Sequence, residues 1–312
     1  IIAVVSIIIY GLMGRLGFES KKDPRLSTFN YYMGKYLGWL FTVLVPVFCA
    51  VICIAMWSAG GEIVDTYFNM PHWSGVVIMV VITAITVAFD FKKIISALGI
   101  LGPVIIVGLI VLCIYGCATG TDFADADEFC RKTDMLLISD SWVSAGLQYA
   151  VLGICFLVPF FMEVYSNTIS KKEAMWGGIV GGGMIGIIFA LETAAILCNI
   201  KSVYQEPLPM LWLAMKMNPV IGVLFIIIIY IAIYTTAVSL FWTAVEKIPT
   251  KATWNKYAII IGMSVAILVV GQFPYDKLVN ILYPVMGYAS ILICIMIVVR
   301  AIQDWKKDKA SH

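Results

Sequence analysis

The chain has 312 residues, of which 62% are hydrophobic and 13% charged, with a formal net charge of +2 and a mean hydropathy of +0.97. Soluble domains carry about 25% charged residues, so this composition argues against a water-soluble enzyme, and the small net charge supplies no field for nucleic acid. Residues 36–61, 94–121, 141–162, 217–245 and 278–299 each lack Asp, Glu, Lys and Arg. A helix rising about 1.5 Å per residue crosses the hydrocarbon core in roughly 20 apolar residues. The expectation is an all-α, integral membrane protein: a polytopic helix bundle forming one transmembrane domain over residues 1–312.

In chain order, nine spans are predicted at about 1–14, 36–60, 74–89, 96–118, 144–164, 174–198, 219–245, 257–272 and 278–299. They are too long and continuous for barrel strands and lack strict alternation. The first is short for a full crossing, and the chain opens Ile1-Ile2-Ala3 without Met or a basic n-region. The expectation is a truncated start, with one inbound helix ahead of Ile1.

The fourth span leads into an acidic connection, 119–143, carrying Asp122, Asp125, Asp127, Glu128, Asp134 and Asp140. It reads as a solvated loop, with cation attraction as the alternative. Cys117 and Cys130 flank it and offer one pairing. The eight cysteines contain no C-x-x-C, so metal and redox readings are weak.

Span five carries Gln148, Tyr149, Gly153 and Pro159 in apolar surroundings. Proline removes a backbone donor, and such points either line cavities or only kink a helix. Gln148, Tyr149 and Gly153 lie near mid-span, where an aromatic body and a polar tip suit a small solute. Span six contains Gly181-Gly-Gly-Met-Ile-Gly186. This matches the dinucleotide fingerprint literally, but no strand precedes it. With Gly177, Gly178 and Gly182 it reads instead as a small-residue packing stripe. Glu192 in the same span costs a few kcal/mol in hydrocarbon, so it is assigned either a structural partner or a place on a pathway.

The connection 207–216 has Pro209 before an apolar run and predicts a short surface helix, passive or lid-like. In span seven, Ala232, Thr235 and Thr236 share one face. Their carbonyl and two hydroxyls are either oxygen ligands for a hard cation or ordinary back-bonds to the preceding turn. The last span holds a second breaker, Leu282-Tyr283-Pro284-Val-Met-Gly287-Tyr288, where Tyr283 is a candidate substrate contact.

Sixteen of the 21 Lys and Arg fall in one alternate set of connections and the C-terminal tail. The positive-inside rule places that set, and the C-terminus, in the cytoplasm. The two histidines are His72 and His312, and neither H-E-x-x-H nor G-x-S-x-G occurs. No enzyme chemistry is therefore expected.

Ala232-Ile-Tyr-Thr-Thr236, the 282–288 run, Lys171-Lys-Glu-Ala-Met-Trp-Gly-Gly178 and Met56-Trp-Ser-Ala-Gly-Gly61 resemble the YkvI family of bacterial membrane proteins. That family resembles the amino acid–polyamine–organocation superfamily and hence the LeuT-type fold. The resemblance implies ten helices in two inverted five-helix repeats, with substrate near the midplane. The nine spans here would then be helices two to ten, and span five would be the broken, substrate-holding sixth helix. The family pattern often has Asn shortly after the Tyr of that helix. Here Ala150, Val151, Leu152 and Gly153 follow Tyr149, so that polar contact is missing.

Ala232, Thr235 and Thr236 match, residue by residue, the eighth-helix part of the second sodium site. The implied function is a sodium-coupled secondary transporter of an amino acid or amine-like solute in the bacterial plasma membrane. No cofactor beyond sodium is implied. The alternatives are proton coupling through Glu192, or a membrane sensor or scaffold that transports nothing.

Overall fold

The computed structural model describes residues 1–89, 91–133, 141–206, 208–246, 253–270 and 275–310. Within these, the side chains of 153–157, 219, 253–254, 269–270, 275–284 and 304–310 are excepted. The described residues form helices and turns with no strand. In order the helices are α1 (Ile2–Glu19), α2 (Phe29–Phe68), α3 (His72–Ala88), α4 (Phe91–Thr119), α5 (Ala126–Lys132) and α6 (Trp142–Ser166). There follow α7 (Lys171–Cys198), α8 (Ile200–Val203), α9 (Pro209–Met217), α10 (Pro219–Glu246), α11 (Thr253–Val270) and α12 (Tyr275–Ala310).

Within the described residues, each span expected from hydropathy overlaps one of these helices. Six described helices are long and apolar enough to cross a membrane, and residues 72–88 and 255–268 are shorter apolar helices. Large apolar side chains point outward, as on α4, where Ile100, Val104, Val107, Val111 and Ile114 are exposed at helical spacing. Such a stripe is stable where the surrounding solvent is lipid rather than water.

The most extensive contact joins α1 and α7, which run antiparallel. Their backbones touch through small residues. A methyl added to Gly178 would lie 2.2 Å from the Tyr10 carbonyl oxygen, and one on Gly182 would lie 2.6 Å from that of Ser6. A methyl on Gly186 would meet Ala3, and one on Gly14 would meet the Ala174 carbonyl. Gly177 and Gly181 face open space, so only one phase of the expected stripe makes the contact. Ser170 caps α7 reciprocally with Glu173, which fixes where this helix begins.

The geometry of the α2–α3 turn also rests on glycine. Gly60 and Gly61 close on Met79, His72 and Gly75. The Met56–Gly61 motif is therefore a packing device. α2 itself is divided at Gly34, whose φ of 74° and ψ of −178° only glycine adopts without strain.

The main core lies where α2, α3, α10 and α12 meet. Trp57 and Phe241 are fully buried there with ring centroids 5.4 Å apart, and Trp57 Nε1 donates to Thr83 Oγ1 at 3.3 Å. A smaller core of Leu112, Cys113, Ala195, Leu213 and Ala214 ties α4, α7 and α9 together at one end of the bundle. There Lys201 Nζ donates to Asp125 at 2.8 Å. Within α5, Arg131 pairs with Asp127 at 3.0 Å. Acidic residues of 119–133 are thus paired locally, which favours the solvated-loop reading. Asp134 and Asp140 lie outside the described residues.

Candidate functional site

α6 lies between α1 and α12. It is helical from Trp142 to Ser166 and passes through Gly153 without a break, which corrects the expectation of a broken span there. One glycine costs a helix only about 1 kcal/mol, whereas unpaired backbone groups in lipid cost several each. The closed helix is the cheaper state without a polar ligand to satisfy opened amides.

Gln148 is fully buried on the α12 side of α6. Its Nε2 donates to Ser144 Oγ at 3.2 Å, and its Oε1 has no hydrogen-bond partner among the described residues. That oxygen lies against Gly287, where an added methyl would sit 2.8 Å away. One turn further along, Ser290 Oγ donates to the Leu152 carbonyl at 3.3 Å. The α6–α12 seam is therefore polar at two levels inside an apolar bundle.

Tyr149 leaves this seam. It is 42% exposed, and its ring meets Phe189 of α7 at 5.1 Å, edge to face. The structure thus separates Gln148 from Tyr149, because adjacent residues on a helix point about 100° apart. The side chain of Tyr283 lies outside the described residues.

Glu192 is partly buried on α7 and lies within electrostatic range of Cys113 on α4. Ala232, Thr235 and Thr236 do share a face of α10. Both hydroxyls donate to the Ala232 carbonyl, at 2.9 and 3.0 Å. Three oxygens from one helix, two bonded to the third, fall short of the roughly six that a hard cation takes. These residues alone do not fit a sodium ion; a site here needs oxygens from a further segment.

Hydropathy gave no hint of a cavity of about 400 Å³ at the end of the bundle where α1 and α6 finish. Ser20, Lys21, Met162, Glu163, Trp242 and Glu246 are among its lining residues, and Pro159 reaches it from α6. Of the two mid-span breakers, Pro159 thus lines a cavity. Lys21 Nζ donates to the Thr168 carbonyl at 2.5 Å, and Glu246 faces Lys256 at 3.5 Å. Trp242 lies tilted against Phe91 at 4.3 Å and meets Phe160 edge to face at 5.6 Å, forming an aromatic wall. This mouth opens at the end that carries most of the Lys and Arg. Eleven residues of α6 separate Pro159 from Gln148, roughly 16 Å along the helix.

Ser144 was findable in the sequence, one turn before Gln148. Lys21, Glu163 and Glu246 were not, since each looks like an ordinary charge at a span end.

No family model matches the chain. The uncharacterized protein YyaD of Bacillus subtilis (strain 168) is 21% identical over 285 residues, covering 91% of this chain and 81% of YyaD. The uncharacterized membrane protein YkvI of the same organism is 20% identical over 279 residues, covering 89% of this chain and 77% of YkvI. The similarity runs along nearly the whole chain, so the weak identity is not confined to one apolar stretch. The chain is a multi-pass membrane protein with a YkvI-like relationship over most of its length.

Proposed function

We propose that the protein is a secondary transporter of a small organic solute, amino acid or amine-like, working by alternating access. The observation that carries this reading is the 400 Å³ cavity, which presents Lys21 and the carboxylates of Glu163 and Glu246 around one opening. Charges of both signs complement a zwitterion, and the carboxylates alone complement an amine. A space of that size suits a small solute. The polar α6–α12 seam supports the same reading. Gln148 Oε1 is a buried acceptor without a donor among the described residues, and a substrate ammonium supplies one.

The cavity mouth is the cytoplasmic side in this proposal, following the Lys and Arg distribution, with the protein in the bacterial plasma membrane. Sodium coupling rests on the resemblance and on Ala232, Thr235 and Thr236, completed by oxygens from a further segment. Proton coupling is the second reading, favoured by Glu192 within α7.

The deciding experiment is uptake of radiolabelled amino acids and amines into sealed proteoliposomes under imposed sodium or proton gradients. Accumulation driven by one gradient supports transport and names the coupling ion. Absence of gradient-driven uptake across the panel, with correctly folded protein, overturns the reading in favour of a sensor or scaffold.

A further inference from the structure

The thiols offer a pairing that differs from the one suggested by sequence. Cys130 sits on α5, which packs on α8 and the 122–124 turn rather than on α4. Cys117, in the last turn of α4, instead lies within interaction range of Cys198, the final residue of α7. Both are free thiols.

The backbones around them are in direct contact. A methyl on Gly116 would lie 3.0 Å from Ala195 Cβ, and one on Gly120 would lie 2.4 Å from the Cys198 carbonyl oxygen. Asn199 Nδ2 bridges the helices, donating to the Gly116 carbonyl at 2.9 Å and to that of Ala195 at 3.0 Å. A disulfide needs Cα atoms within about 7 Å and Cβ vectors that converge. Two helix ends in backbone contact, with their thiols within interaction range, favour that condition. No group of three or more metal-ligating side chains occurs among the described residues, so this thiol pair belongs to no larger metal-ligand cluster.

We propose that Cys117 and Cys198 are a disulfide-forming pair that staples α4 to α7 beside the acidic 122–128 segment. The oxidant is an external disulfide. Cys117 is partly exposed, whereas Cys198 is buried, so Cys117 takes the first step. Its thiolate attacks one sulfur of the external disulfide, forms a mixed disulfide and releases one thiol. The Cys198 thiolate then attacks the Cys117 sulfur and releases the second thiol. The two protein thiols lose two electrons and two protons, and the external disulfide gains both as two thiols. The inference does not depend on what the protein transports. It fits the end of the bundle opposite the Lys- and Arg-rich connections, since extracytoplasmic compartments are the oxidising ones.

The test is incubation of the purified full chain with oxidised glutathione, followed by thiol counting with a maleimide under denaturing conditions and by peptide mapping. The parent protein loses two thiols together, and a peptide containing Cys117 is found linked to one containing Cys198. Cys130→Ser leaves this unchanged. Cys117→Ser abolishes the linkage, and Cys198→Ser stops at one glutathione retained on Cys117. Retention of all thiols in the parent, or a linked peptide joining Cys117 to Cys130, overturns the proposal. Because the map is read on the parent protein, the result stands even if a serine variant folds poorly.

Discussion

The carboxamide of Gln148 on α6 rests on the bare Cα of Gly287 on α12. A methyl at Gly287 would come within 2.8 Å of Oε1, 3.1 Å of Cβ and 3.3 Å of Cγ of Gln148. The last span thus uses its glycine to admit a buried amide. Gly287→Ala should lower stability by about 1–3 kcal/mol through overpacking. Helix propensity works the other way by up to about 1 kcal/mol, so the double mutant is the sharper measurement. Thermal unfolding in detergent should show Gln148→Ala rescuing Gly287→Ala. Simple addition of the two losses would mean that the side chains do not meet.

The glycine ladder makes a phase-specific prediction. Gly182→Ala pushes a methyl into the Ser6 backbone, which cannot move without separating α1 from α7. Its neighbour Gly181 faces open space. Gly182→Ala should therefore cost more than about 2 kcal/mol, and Gly181→Ala should stay within about 0.5 kcal/mol of the parent or gain slightly. Expression level and melting temperature of the two variants check this. Equal losses would remove the ladder from the α1–α7 interface.

These two cases show which features were legible. Span positions follow from apolar runs, because lipid demands closed helices wherever charge is absent. The glycines of span six announced close packing, but not which of two phases made it, since Gly177/Gly181 and Gly178/Gly182/Gly186 have equal spacing. The partner helix decides, and it lies far away in sequence. Mid-span breakers were legible only as alternatives. Gly153 stays helical and Pro159 lines a cavity, and the difference arises from which neighbours end beside each. The charges of the cavity mouth, Lys21, Glu163 and Glu246, converge through the bundle alone. Thr235 and Thr236 share a face with the Ala232 carbonyl, and the same spacing serves a cation and a back-bond equally well.

The end of the bundle near α8 should respond to acid. The Lys201 ammonium beside Asp125 holds that carboxyl below the usual carboxylate range, and Asp125 in turn raises Lys201. A depressed carboxyl contributes stability above its unfolded value, about 3.9. That contribution is lost as pH falls through the lower folded value. The raised Lys201 contributes below about 10.4 and loses its share only as pH rises beyond that. Amide exchange in 122–125 and 200–203, corrected for intrinsic rates, should be flat between these limits and rise at the acid end. The effect is small and salt-sensitive because the pair is exposed. Lys201→Gln should remove the acid step; its persistence in that variant would assign the step to other carboxylates.

Sodium dependence can be separated from folding at Thr235 and Thr236. Each hydroxyl bonds only to the Ala232 carbonyl among the contacts described, at 2.9 and 3.0 Å within its own helix. Such back-bonds add little to helix stability, and their loss to alanine should cost under about 1 kcal/mol. Thr235→Ala with Thr236→Ala should therefore reach the membrane and melt close to the parent. If these oxygens coordinate sodium, the double variant loses sodium-dependent ligand binding while sodium-independent properties remain. A methyl in place of a hydroxyl leaves the ion short of oxygen in a dry site. Thr236→Ser, which keeps the oxygen, should restore much of the dependence in a Thr235-intact background. Unchanged sodium dependence in the double alanine variant would move coupling elsewhere. Glu192→Gln, assayed under an imposed proton gradient, is then the informative measurement, because it removes the titratable carboxylate and keeps its shape.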